Sequence, residues 1–145
     1  MTATRIHTAP GLVDVNHRPD LRAVYLKWHS EYDAGTRVRD AVHAALAFVR
    51  AHDVPHWVVD VSTSPDALSE ADYAWVSSAA FRDAILASPL RRFVLRPPGP
   101  ETGQDTAWVA EWEASTLSKF GDRITARVCP TEAAMRDFLV GSTGD

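Results

Sequence analysis

Apolar and polar positions change period several times along this chain. Residues 1–20 carry only short apolar pieces broken by Pro10, Gly11 and Pro19, so this N-terminal segment is expected to hold no more than a short edge strand around Gly11–Val15. The run LRAVYLKWH (21–29) is rich in aromatic and β-branched residues, the mark of a strand. From Thr36 the period lengthens. Val38, Val42, Ala45, Leu46 and Val49 recur three and four apart, which predicts an amphipathic helix to about Ala51. Gly35 breaks the chain before it, and Pro55 forbids its continuation. HWVVDV (56–61) is apolar and too short for a helix, so it predicts a strand buried on both faces.

Ser69-Glu70-Ala71-Asp72 is a variant of the capping box and predicts a helix through about Ala87, before Pro89. RRFVLR (91–96) reads as the next strand, closed by PPGP. A further helix is predicted from about Gln104 to Lys119, with Gly121 as its stop. RITARVC (123–129) alternates as a strand does, and Pro130-Thr131 opens a last helix to about Val140. Residues 141–145 read as a flexible tail. Strands and helices thus alternate, which predicts an α/β fold. Its sheet should be mostly parallel, of four to five strands with helices between them, in one domain spanning 21–140. No internal repeat or low-complexity segment interrupts it.

Composition adds exclusions. The 145 residues suit a single domain with a core of its own, needing neither disulfide nor metal. The net charge is −4 and no basic stripe follows any predicted helix, so nucleic acid is an unfavoured partner. The lone Cys129 cannot form an internal disulfide, and residues 1–15 lack the apolar core of a signal peptide. With no stretch of membrane-spanning length, the expectation is a soluble, cytoplasmic protein.

The motifs that announce common chemistries are missing: no GxGxxG, GxxxxGK[ST], GxSxG, CxxC or HExxH occurs. His52 and His56 have helical spacing, but Pro55 between them prevents a shared helix face, so no metal site is expected. His29 and His43 are isolated, and each reads as a solvent-facing or hydrogen-bonded histidine. Cys129 lies just before a helix N-terminus, yet no histidine follows it to act as a base; a buried small residue is the better reading. Of the five tryptophans, Trp28, Trp57 and Trp75 are read as core. Trp108 and Trp112, one helical turn apart, read about equally as core and as an exposed interface ridge, because their helix carries apolar residues around most of its girth. No cofactor and no catalytic group is assigned.

Asp60 closes the apolar run at the carboxyl end of a central strand, where open parallel sheets place their functional crevice. It could act as a base or accept the backbone N–H groups of the loop that follows; without a paired carboxylate or a nearby histidine, the second reading leads. Ser69 stands where a helix N-cap belongs, its oxygen satisfying an otherwise unpaired N–H. Asp60, Ser62 and Ser69 are therefore the candidate binding residues of the loop after the central strand.

These residues carry a resemblance. Val58-Val59-Asp60-Val61-Ser62, followed by a loop and a helix starting at Ser69, resembles the STAS (SpoIIAA-like) family, in which an aliphatic strand ending Asp-aliphatic-Ser precedes an Asp-Ser-Ser-Gly at the start of a helix. Ser69 falls at the family's regulatory phosphoserine, but Leu68, Glu70 and Ala71 replace the flanking Asp, Ser and Gly. Tyr25-Leu26-Lys27-Trp28, Trp57–Val61 and Ser69–Trp75 are similar to a divergent bacterial STAS/CRAL-TRIO-like branch. The resemblance implies a SpoIIAA-like fold and a non-enzymatic module that binds a protein partner or a second copy of itself. The alternative it implies is a binder of a small apolar ligand or lipid, which the aromatic excess also suggests.

Overall fold

The structure, a computed structural model, describes residues 4–30, 32–33, 35–63, 69–76, 78–99 and 124–140. Among the described residues six strands form one sheet in sequence order: β1 (Thr4–Ala9), β2 (Val13–Arg18), β3 (Ala23–Trp28), β4 (His56–Asp60), β5 (Arg92–Arg96) and β6 (Thr125–Val128). The described helices are α1 (Arg37–His52), α2 (Glu70–Val76), α3 (Ala79–Leu86) and α4 (Glu132–Val140). None is long and apolar enough to cross a membrane. The helix expected over 104–119, with Trp108 and Trp112, lies outside the described residues.

The fold is α/β, but the sheet is mixed rather than mostly parallel. β3 to β6 run parallel, whereas β1–β2 and β2–β3 pair antiparallel. The N-terminal segment thus supplies two full strands where one short edge strand was expected. Connections 10–12 and 19–22 are too short for a parallel crossover, which takes about a dozen residues, so hairpins are the only solution. The first has Pro10-Gly11 at its centre, with Gly11 at φ 76° and Leu12 N–H donating to Ala9 at 2.9 Å. That is the chemistry of a type II turn. β1 eluded the pattern because an edge strand needs only one face partly covered, and polar residues occupy most of it.

Each face of the sheet carries its own apolar cluster. Val13, Val15, Val24, Leu26, Trp28, Trp57, Phe93 and Leu95 meet the apolar stripe of α1 and Ile85 of α3 in the main core. Burying each such valine or leucine is worth about 1.5–3 kcal/mol. Trp57 stacks on Phe93, and Trp75 of α2 lies partly buried against the same cluster. On the opposite face Ala23, Tyr25, Val58 and Val94 pack with Leu21, Met135 and Leu139 of α4 and the buried Cys129.

Helix ends follow local chemistry. Asp33, rather than Thr36, satisfies the start of α1 by accepting from the N–H groups of Gly35 and Arg37 at 3.0 and 3.2 Å. Asp53 closes α1 in the left-handed conformation, two residues before Pro55. The single helix expected over 69–87 is two helices. Ser78 leaves the helical conformation (φ −77°, ψ 156°) and caps α3 through Phe81 N–H at 3.2 Å. A serine offers the backbone this alternative bond, which is why it breaks helices as readily as it starts them.

Candidate functional site

Asp60 ends β4 on the α4 face, and sheet register decides what surrounds it. Asp14 pairs with Lys27, Lys27 with Asp60, and Asp60 with Arg96. Four strands therefore present a transverse row of alternating charge, acid–base–acid–base, across one face. Opposite charges directly across strands are mutually stabilising. The row lies at the carboxyl end of β3, β4 and β5.

Within it Asp60 is almost completely enclosed, with 4% of its surface exposed. One carboxylate oxygen accepts from the Tyr25 hydroxyl. The other accepts from the Ser62 N–H at 2.9 Å and the Ser62 hydroxyl at 2.6 Å, and faces the Lys27 ammonium at 3.4 Å. Burial by itself pushes the carboxyl up. The bonds from Ser62 and Tyr25 together with the Lys27 charge outweigh it, leaving Asp60 below the usual carboxylate range. The Tyr25 hydroxyl moves far the other way, by burial and by the adjacent carboxylate.

The cluster also ties loops together. Ser62 O accepts from Gly99 N–H at 3.1 Å, and Val61 N–H donates to Arg96 O at 3.0 Å. Lys27 donates to the Ser62 hydroxyl at 3.1 Å, and Arg96 reaches the Tyr25 hydroxyl at 3.3 Å. Arg96 Nε is buried without an acceptor among the described residues. Arg96 also approaches Glu132 at 3.8 Å, joining the row to ion pairs among Arg18, Asp20, Glu132 and Arg136.

Chemically this arrangement is a clamp. A general base works best with a proton affinity near the working pH and an open path to substrate. Asp60 is held ionised, enclosed and already facing four donors. The Ser62 hydroxyl donates to Asp60 and accepts from Lys27, so its proton and one of its lone pairs are engaged as well.

The other candidate residues lie elsewhere. Ser69 accepts from Asp72 N–H at 3.2 Å at the start of α2, and no hydrogen bond links it to Asp60 or Ser62 among the described residues. Asp72 is fully buried and pairs with Arg39 at 3.1 Å, its second oxygen lacking a partner. His56 is buried and Nδ1–H donates to Leu21 O at 2.8 Å, pinning the β2–β3 turn to β4. His29 pairs with Asp14 at 3.0 Å. Among the described residues no three metal-ligating side chains gather.

Sequence reasoning found Asp60 and Ser62 but missed Tyr25, Lys27 and Arg96. Their alternation along β3 and β5 was readable: Tyr25 and Lys27 are two apart, and so are Val94 and Arg96. What pairs each with Asp60 is register, which no local pattern states. Comparison with known proteins finds no family model, no curated protein and no solved structure that matches the chain.

Proposed function

We propose that this chain is a non-enzymatic module, similar to the STAS (SpoIIAA-like) family, which binds a protein partner through residues 61–63, where the chain leaves β4, and the start of α2. The observation that carries the reading is the enclosure of Asp60. The residue best placed for chemistry at the carboxyl end of the sheet is consumed in holding Ser62, and a chain held in place where it leaves the sheet is what a recognition surface needs. The parallel run β3–β6 with α1 to α3 on one face is compatible with the fold that the resemblance implies. The alternative of an apolar ligand gains nothing from Trp28 and Trp57, which fill the core themselves.

The test uses Thr63 and Glu70, exposed residues flanking this surface and outside the clamp. Affinity capture from the native host should recover one stoichiometric partner with the wild-type chain. A Thr63→Arg/Glu70→Arg double variant with an unchanged melting temperature should lose it, and the purified partner should rebind only the wild type. Equal recovery by both, or no partner at all, would overturn the reading. Elution of the pure chain at twice its mass, abolished by the same variant, would make the partner a second copy.

A further inference from the structure

The opposite end of the parallel strands, where β4 begins, carries a different feature. The β2–β3 turn and the α1–β4 connection face each other across an open surface cavity of about 260 Å³, at which Arg22, His52 and Asp53 are exposed. His17, Arg22 and His52 line it, with Pro19, Val54 and Pro55 as an apolar wall. His17 and His52 flank the Phe48 ring at centroid distances of 5.0 and 4.2 Å, which fixes both imidazoles at the rim. We infer that this cavity is an anion site for a small phosphomonoester, its phosphate held by Arg22, His17 and His52 and its organic group lying on Pro19, Val54 and Pro55.

Four observations carry this. Among the described residues the Arg22 guanidinium and the ring nitrogens of His17 and His52 have no hydrogen-bond or ion-pair partner, whereas Arg18 and Arg136 face carboxylates. Arg22 has φ 53°, a turn position that glycine or asparagine fills with less strain, yet a long cation stands there beside the cavity. A second arginine stands nearby, Arg92, which pairs in register with His56. Arg92 and Arg22 both act on the nearby His56 to hold its imidazole below its ordinary value, after burial itself, and Asp53 is the sole carboxylate among the described residues that line the cavity. Burial and then the repulsion of His52 similarly depress His17, a conflict that a bound dianion relieves.

The chemistry selects phosphate. A guanidinium presents paired N–H groups matched to phosphate oxygens, and a protonated imidazole adds a further donor. The cavity is larger than an inorganic phosphate needs, and the apolar wall gives an attached organic group somewhere to rest. The site is independent of the Asp60 clamp and of the partner surface proposed above.

Histidine side-chain NMR of the full chain at pH 6.5 and constant ionic strength tests the inference, with inorganic phosphate, phenyl phosphate and phenol as probes. Phenyl phosphate should shift the His17 and His52 signals saturably. Inorganic phosphate should shift the same signals with at least fivefold weaker affinity, and phenol should leave them unmoved. Arg22→Asn, which suits the left-handed backbone, should weaken phenyl phosphate at least tenfold. His52→Gln should weaken it independently, so a misfolded Arg22 variant leaves a second arm. The inference falls if neither phosphate gives a saturable shift, if phenol shifts the signals as strongly, or if the folded variants bind like the wild type.

Discussion

Replacing Asp60 by asparagine preserves shape and removes charge, and the geometry around it sets the cost. The Tyr25 hydroxyl and the Ser62 N–H and hydroxyl all donate to the carboxylate. A hydrogen bond to a charged group contributes about 1.5–3 kcal/mol, a neutral one about 0.5–1.5 kcal/mol. With its amide oxygen towards Ser62, asparagine keeps two of these as neutral bonds and turns its NH2 group on Tyr25, whose proton must then rotate away. Weakening three bonds by about 1 kcal/mol each gives a loss of about 3 kcal/mol. Lys27, 27% exposed, regains water at little cost. For a domain of this size the loss lowers the melting temperature by about 10 °C at pH 7.

The pH dependence checks the mechanism. The folded Asp60 carboxyl lies below its ordinary value of 3.8, so it binds protons more weakly than the unfolded group. Its stabilisation is full above that value and disappears as pH falls through the folded value. The gap between wild type and Asp60→Asn should therefore be constant from pH 8 to about pH 5 and close below pH 4. Chemical denaturation across this range, combined with Tyr25→Phe in a double-mutant cycle, measures it. Tyr25→Phe should cost less in the Asp60→Asn background than in the wild type. A melting temperature within 1 °C of wild type at pH 7, or a gap that widens in acid, would refute the account of Asp60 as a clamp.

Removing the cap of α3 with Ser78→Ala should cost about 1 kcal/mol, read as a shift of the denaturation midpoint with unchanged slope. His56 is buried with its Nδ1–H on Leu21, and burial depresses its imidazole, so its NMR signals should titrate below pH 6.5. Because the folded group binds protons less readily than the unfolded one, stability should fall as pH drops through 6.5, and less steeply in His56→Gln. Ser69 is engaged as a cap beside the acidic Glu70 and Asp72, so mass spectrometry of the protein from its native host should find it unphosphorylated; stoichiometric phosphate there would contradict this.

The sequence by itself determined the α/β class, four of the six strands and the placement of α1 and α4. These follow from period, from proline and glycine at the ends, and from the short apolar runs around Val58 and Val94, all of which act within a few residues. Local chemistry also announced that Asp60 would need donors and that Ser69 would cap a helix, because a buried carboxylate and a bare helix end cannot be left unsatisfied. The tertiary structure alone decided the rest. The hairpin β1–β2 sits at a sheet edge, where one covered face leaves little apolar signal, and it turns a parallel sheet into a mixed one. Tyr25, Lys27, Asp60 and Arg96 are far apart in the chain, and only strand register sets them in one row. His17, Arg22 and His52 line one cavity because the end of β2 with its turn and the end of α1 lie side by side. Contacts of this kind arise from how whole elements bury their faces against one another, and no stretch of sequence records them.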